Sequence, residues 1–436
     1  MKKYDSYKDS GIEYIGEIPE HWKVKKTFHH FKAEKGKKAA LLTKEYCGTI
    51  EGNFPVYSGQ TENNGIMSLI KEYEFDFRED GCLLSTTVGA KAMSISYLRG
   101  KFSLSQNCMI ITSRNKNEIN NRFFFYQFQP IFKFHRGLIP DHMQPSFRMD
   151  DLYQFKIIIP SKIEQTKIAN FLDHKTTQID SLISKKEQFI TLLQEERIAV
   201  INQTVTKGLD PKVNMKDSGI EWLGEIPEHW EVKKLKYVGN CQNGVSEGAE
   251  FFGTGHPFVS YGDVYKNVIL PNNVIGLANS NEKHQEHYSV EESDIFFTRT
   301  SETIEEIGIA SICYNTIEKA VFAGFLIRFR PNKEIIIKEF SKYYFRCFIP
   351  RTFFVKEMNL VTRASLSQEL LKRLPVLLPS IKEQKEIAFY LDKKTNEIDS
   401  IISKSQQEIE LLKEYKTALI SEVVTGKVDV RDVVLN

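Results

Sequence analysis

One frame written twice governs what this chain can fold into: Lys8 to Trp22 reads KDSGIEYIGEIPEHW, and Lys216 to Trp230 reads KDSGIEWLGEIPEHW. The chain is a duplication, and its fold has to place two copies of the same element. A second echo follows each, since Glu164 to Asp210 (EQTKIANFLDHKTTQIDSLISKK…TKGLD) returns as Glu383 to Asp429 (EQKEIAFYLDKKTNEIDSIISKS…TGKVD). Two similar frames therefore carry two inserts that resemble each other weakly. The division is an arm at 1–22, an insert at 23–160, a helical spacer at 161–208, a second arm at 209–230, a second insert at 231–379, a second spacer at 380–428 and a tail at 429–436.

Each spacer has helical periodicity. Leu172, Ile179, Leu193 and Val200 recur at sevenfold steps, with Leu182 and Phe189 placed on the intervening seam. Leu391, Ile398, Leu412 and Leu419 occupy the matching places, with Ile401 and Tyr415 on that seam. No Gly or Pro interrupts either run before its Thr-Lys-Gly or Thr-Gly-Lys end, where a helix stop is expected. So long an apolar stripe needs a partner, and the other copy supplies one. The expectation is an antiparallel helix pair about a pseudo-twofold axis. The first spacer runs into the second arm, and the second spacer would find its counterpart arm at the N-terminus, which implies a quasi-circular molecule with neighbouring termini.

The inserts read as mixed α/β, which makes the chain α+β: two globular domains joined by two long helices. Runs rich in β-branched and aromatic residues predict strands at Cys108 to Thr112, Phe155 to Ile159 and Val321 to Phe329. Aromatic-rich helices are expected at Arg122 to Phe134 and Phe340 to Phe348, with Phe123-Phe124-Phe125 matched to Tyr343-Tyr344-Phe345. Those rings could stack on bases, but core packing is the stronger reading. The inserts also correspond in order: Pro55 to Gly59 against Pro257 to Gly262, Leu83 to Thr87 against Phe296 to Thr300, and Ser146 against Ser365.

Total charge says little about partners, because the 436 residues carry a net +2. Its distribution says more: residues 23–150 hold roughly +7 and 233–375 roughly +2, so the first insert has the better footprint for a polyanion. The N-terminus MKKYDSYKDSGIE has no apolar run and no later stretch reaches membrane-spanning length, so the cytoplasm is the expected compartment. Six scattered cysteines without a CxxC pair point to buried thiols rather than zinc or disulfides.

The chain resembles, over essentially its whole length, the DNA-specificity subunits of type I restriction-modification systems. The match is carried by the doubled SGIEYIGEIPEHW and SGIEWLGEIPEHW, by the doubled Pro-Ser-x-x-Glu-Gln openings at Pro160 to Gln165 and Pro379 to Gln384, and by the long helices that follow. The resemblance implies two target-recognition domains on double-stranded DNA, separated by spacers that bind two modification subunits methylating adenine from S-adenosylmethionine. Larger complexes add motor and nuclease subunits that use ATP and Mg²⁺. It implies no cofactor in this chain. Two domains held at a fixed separation by rigid helices would read two half-sites, and because the inserts differ the target should be split and asymmetric.

Polar segments that align between the inserts are the candidates for DNA contact. Ser85, Thr86 and Thr87, leading to Lys91, correspond to Thr298, Arg299, Thr300 and Ser301. Hydroxyls and cations there suit phosphates, and Arg299 suits guanine, while a tight polar turn is the structural alternative. A second pair is Gln144, Ser146 and Arg148 against Thr362, Arg363 and Ser365, although Ser365 with Gln368 could simply be a capping box. Gln60, Thr61, Asn63 and Asn64 form either a base-reading loop or an ordinary Asn-Gly turn. His284-x-x-His287 has no convincing third ligand, so surface histidines outweigh a metal site.

Absences bear on catalysis. An adenine methyltransferase of this partner class needs an Asn/Asp-Pro-Pro-Tyr/Phe tetrapeptide, and no two of the fourteen prolines are adjacent; no G-x-x-x-x-G-K-[ST] loop occurs either. Glu231-Val-Lys233 and Glu383-Gln-Lys385 match a nuclease Glu-x-Lys, but neither recurs in the other copy. Two competing readings remain, a cryptic metal-dependent nuclease and a coiled-coil adaptor that binds only proteins. The purified chain is expected neither to transfer methyl groups from S-adenosylmethionine nor to cut DNA with divalent metal; a radiolabelled methyl-transfer assay and a nicking assay on the chain alone check this.

Overall fold

The computed structural model describes residues 2–435 apart from 61, 141, 302, 304, 305 and 359–363. It divides into two units, Met1–Glu187 with Gln406–Asn436, and Gln188–Ser405. Each unit holds one arm, one insert and part of each of two long helices, Lys162–Lys207 and Ile381–Val424. The helices stop where the sequence places a glycine that can turn left-handed, Gly208 at φ +75° and Gly426 at φ +76°.

Within each unit the two helix segments run antiparallel. In the first, Leu172, Ile179 and Ile183 share a core with Leu412, Leu419 and Val423, and Asp180 pairs with Lys416 at 2.7 Å while Lys186 pairs with Glu408. In the second, Val200 and Val205 share a core with Ile387 and Leu391, and Arg197 meets Asp399 at 2.9 Å. Leu193, Ile398 and Leu419 are buried as the sevenfold steps require. The intervening seam is elsewhere than expected: Leu182, Phe189, Ile401 and Tyr415 stand 42–49% exposed. From Ile179 and Ile398 the seam advances four residues, to Ile183 and Ile402, rather than three. Adjacent apolar residues at 182–183 and 401–402 left both steps open; the buried hydroxyls of Thr176 and Thr395, one step earlier, belong to the four-residue series.

Those hydroxyls belong to a joint built twice. In the first unit Gln165 accepts from the Asn120 N–H at 2.8 Å and donates to the carbonyls of Glu118 and Pro160. In the second, Gln384 accepts from the Ile337 N–H at 3.0 Å and donates to Ile335 and Pro379. Next to it the Tyr126 hydroxyl donates to Asp173 and meets Thr176, as Tyr343 does with Asp392 and Thr395. Burial and the hydrogen bond to Asp173 push the Tyr126 hydroxyl up to about 12. These bonds match Tyr126-Gln127-Phe128 to Tyr343-Tyr344-Phe345, so the sequence pairing with Phe123-Phe124-Phe125 is displaced by three. Phe123, Phe124, Tyr344 and Phe345 are all core.

The arms close the joint. In the first unit Glu164 accepts from Tyr4 at 2.8 Å and lies 3.0 Å from His21, and the chain ends are tied by Asp429 N–H to the Lys2 carbonyl at 2.9 Å. In the second, Glu383 accepts from Trp230 at 3.0 Å and lies 2.9 Å from His229. A Cβ on Gly426 would stand 2.3 Å from Pro19 Cδ, so the arm sits directly on the helix end.

Each insert is closed at its root by an antiparallel strand pair that joins its first and last strands, Lys23–Lys26 with Lys156–Ile159 and Glu231–Lys234 with Pro375–Leu378. The first insert has a six-stranded sheet in the order Phe31–Glu34, Cys108–Ser113, Phe75–Thr86, Ile95–Leu104, Phe54–Tyr57, Ile66–Ile70. The second has a four-stranded sheet, Gly239–Asn243, Leu326–Pro331, Ile295–Thr298, Ala310–Ile312, and a three-stranded one, Leu277–Ala278, Phe252–Val259, Val321–Phe322. The single strand expected over Val321 to Phe329 is thus two strands of different sheets, separated by a turn at Ala323-Gly324-Phe325. The helix expected over Phe340 to Phe348 is likewise divided into Lys338–Tyr344 and Phe348–Glu357. Pro350, which tolerates only a first helical turn, forces the restart.

Replacing buried Leu193 by Asp strands a charge on the seam and should lower the melting temperature by about 6–12 °C, taking ~3 kcal/mol at 2–4 °C per kcal/mol. Leu182→Asp, on the exposed face, should shift it by less than about 2 °C. Thermal melts of the two variants side by side test the register.

Candidate DNA interface

Four chain segments meet at one end of each insert, and backbone hydrogen bonds tie them into the same knot in both units. In the first, Thr87 N–H donates to Asn107 at 2.8 Å, Phe147 N–H to Thr87 at 2.7 Å, and Ser105 N–H to Tyr57 at 2.9 Å. In the second, Arg299 N–H donates to Phe325 at 2.9 Å, Leu366 N–H to Arg299 at 2.7 Å, and Ala323 N–H to Val259 at 3.0 Å. Val88 bridges Ser146 as Thr300 pairs with Ser365. The knot therefore equates Thr86 with Thr298, Thr87 with Arg299, Ser146 with Ser365 and Asn107 with Phe325. The match of Leu83–Thr87 to Phe296–Thr300 made from sequence is one residue out.

Several candidate hydroxyls are parts of the knot. Thr86 Oγ1 donates to the Lys91 carbonyl and accepts from Ser94 N–H at 3.1 Å. Thr298 Oγ1 donates to the Glu306 carbonyl at 2.6 Å and accepts from Ile309 N–H at 2.9 Å. Ser301 donates to the Glu306 carboxylate, which also takes Tyr265 at 3.2 Å. Ser85, Thr86, Thr87, Thr298 and Ser301 are buried and do not face a ligand; the hydroxyls of Thr86, Thr298 and Ser301 hold the turn, while that of Thr87 has no hydrogen-bond partner among the described residues. Ser365 is an exposed strand residue; the helix cap is Ser367, which accepts from Leu370 N–H at 3.1 Å. The capping box proposed for Ser365 with Gln368 is accordingly not formed, and the cap lies two residues later.

The exposed positions are Gln60, Asn63, Asn64, Lys91, Gln144, Ser146, Arg148 and Ser365, with Arg299 and Thr300 half-buried. Gln60 Nε2 and Asn63 Nδ2 both reach the Ile66 carbonyl, and Asn63 and Asn64 have positive φ, so this loop is built as a turn. Arg299 Nη1 donates to the Gly324 carbonyl at 3.2 Å, which aims its guanidinium along the 323–325 turn. Thr61, Thr362 and Arg363 lie outside the described residues.

Sequence reasoning missed a basic cleft beside the first knot. It measures about 620 Å³ and is lined by Lys91, Arg122, Lys133, Arg136 and Lys416. Arg122 and Lys416 are paired with Asp173 and Asp180. Lys133 and Arg136 have no ion pair among the described residues; their spacing of three on the aromatic helix Asn121–Gly137 was the available signal. Sequence reading also passed over Asn107 and Phe325, which carried no motif. All six cysteines are unbonded, and no group of three or more metal-ligating side chains occurs among the described residues. No described helix is long and apolar enough to cross a membrane.

Comparison with known proteins agrees with this layout. The family model described as type I restriction modification DNA specificity domain matches residues 19–192 and again 227–411. The chain is 26% identical over 423 residues to the type I restriction enzyme MjaVIII specificity subunit of Methanocaldococcus jannaschii, covering 95% of each. It is 28% identical over 239 residues to the EcoKI specificity subunit of Escherichia coli K12, covering 53% of this chain and 48% of that one. Among solved structures, a chain from work on complex assembly and conformational transition of the type I R-M system superposes with TM-score 0.71 at 13% identity, covering 94% of this chain and 99% of that one. The HsdS subunit of Thermoanaerobacter tengcongensis superposes with TM-score 0.56 at 12% identity, covering 94% and 98%.

Thr298→Val keeps the shape of the side chain and removes both knot hydrogen bonds. It should cost about 1–3 kcal/mol of stability, whereas Lys91→Ala should cost less than about 0.5 kcal/mol; urea denaturation of the two variants checks the contrast.

Proposed function

This chain belongs to the DNA specificity subunits of type I restriction-modification systems, and on that premise we propose that each of its inserts reads one half of a split, asymmetric target. The observation that carries this is the knot: one set of backbone bonds occurs in both inserts and presents Val88 and Asn107 in the first against Thr300 and Phe325 in the second, with Arg299 of the second standing where the first has buried Thr87. An identical frame with different side chains is what two unlike half-sites demand. The exposed cations Lys91 and Arg148, with the adjoining basic cleft, suit phosphates and position the first insert on the duplex. Arg299 offers a guanidinium that suits a guanine edge.

In this reading the chain is a non-catalytic reader. Two modification subunits supply adenine methylation with S-adenosylmethionine, and ATP and Mg²⁺ belong to motor and nuclease subunits of the larger complex. The exposed apolar side chains Leu182, Phe189, Ile401 and Tyr415, which the helix pairing leaves uncovered, suit docking of the modification subunits. The setting is the cytoplasm.

The effects of substitutions should separate by half-site. Arg299→Ala, and likewise Arg363→Ala, should weaken or relax only the half read by the second insert, and Lys91→Ala and Arg148→Ala only the other. A lost base-specific contact costs about 1–3 kcal/mol at one position, while a lost phosphate contact weakens binding uniformly and lowers the salt slope by about one. Titrations of single-base target variants at two salt concentrations measure both. Equal changes of preference in both halves would overturn the assignment of one insert to one half.

A further inference from the structure

We propose that Asn107 and Phe325 are equivalent base-reading positions, Asn107 addressing the edge of an adenine in the first half-site and Phe325 the C5-methyl group of a thymine in the second. This rests on the reading of one insert per half-site and deepens it to a single side chain in each.

The backbone of these residues is committed to the fold and their side chains are not. Each carbonyl accepts the N–H of the residue that opens the knot, Thr87 at 2.8 Å and Arg299 at 2.9 Å. Each residue directly precedes the strand leading back into the sheet, Cys108–Ser113 or Leu326–Pro331, so its Cα is held on both sides. Phe325 is 61% exposed, and Asn107 is exposed with no side-chain hydrogen bond among the described residues. A fixed backbone carrying an unused side chain loses no further chain entropy on binding.

The chemistries match what a major-groove edge displays. An asparagine amide donates to adenine N7 and accepts from N6–H₂, whereas an aromatic side chain has only the thymine methyl to meet. Beside Phe325 the Arg299 guanidinium, held by the Gly324 carbonyl at 3.2 Å, supplies a cation on the same turn. In the first insert buried Thr87 takes the place of that arginine, and exposed Asn107 stands in the place of Phe325.

The test uses the full chain assembled with its modification subunits and duplexes carrying the target defined by mapping methylated adenines in cells. Phe325→Ala should reduce preference for one thymine of the second half-site about fourfold, the value of one buried methyl, and leave the first half unchanged. Deoxyuridine at that thymine should lower wild-type affinity by the same factor and have no effect on the variant, while Phe325→Leu keeps the contact. Asn107→Ala should lower preference for one adenine of the first half-site at least about fivefold, as should 7-deazaadenine on the wild type. Wild-type protein indifferent to deoxyuridine and 7-deazaadenine throughout the target overturns the proposal even if the alanine variants do not fold. Uniform weakening across all bases does so too. If the Arg299 and Lys91 variants still separate by half-site while these do not, only this inference fails; if none separates, the reading of one insert per half-site fails with it.

Discussion

The organisation of both units depends on a glutamine at the start of each long helix. Gln165 and Gln384 each accept one backbone N–H and donate to two backbone carbonyls at the point where insert, strand and helix converge. The bonds to the Pro160 and Pro379 carbonyls are buried and the others half-buried; a buried group left unpaired costs about 1–3 kcal/mol, so an amide that satisfies three backbone groups at once fixes where the insert departs from the helix. The neighbouring glutamate then fixes the arm, through Tyr4 and His21 in one unit and Trp230 and His229 in the other. Two adjacent residues of one motif hold all three parts of the frame together.

That rigidity explains how inserts of such different sequence can share a reading frame. With the insert's roots fixed by the joint and by the strand pairs Lys23–Lys26 with Lys156–Ile159 and Glu231–Lys234 with Pro375–Leu378, the sheets can differ in strand number while both inserts reproduce one knot of backbone bonds. The knot is made of N–H and C=O groups, which every residue but proline carries, so its side chains are free to change. The hydroxyls that do contribute, Thr86 and Thr298, are the same residue type in both inserts, and the exposed places, Asn107 and Phe325, are not. Structural roles and variable surface are thus separated residue by residue.

The helices show where a correct pattern leaves a geometric choice. Sevenfold steps placed Ile179, Leu193, Ile398 and Leu419 in the interior, yet the second seam runs through Ile183 and Ile402 and leaves Leu182 and Ile401 outside. A three-residue and a four-residue step both lie near one helix face, and with apolar residues at both positions hydrophobicity does not choose between them. The choice follows from Thr176 and Thr395, whose hydroxyls are consumed by Tyr126 and Tyr343 of the inserts. The same displacement leaves the apolar side chains of Leu182, Phe189, Ile401 and Tyr415 exposed.

By itself the sequence determined the duplication, the two arms, the two long helices with their glycine stops, the mixed α/β class of the inserts and the family, because each of these is written as a repeat, a period or a turn residue. It also held the correspondence of Ser146 with Ser365. Only the tertiary structure decided which polar residues are spent inside the knot, that the run from Val321 to Phe329 breaks into strands of two sheets, that Ser367 rather than Ser365 caps its helix, and that Asn107 stands where Phe325 stands. The physical reason is that helix periodicity and turn chemistry act over a few residues and leave a local mark. A backbone hydrogen bond between residues 20 or 60 apart, such as Thr87 to Asn107 or Phe147 to Thr87, uses groups common to nearly every residue and leaves none.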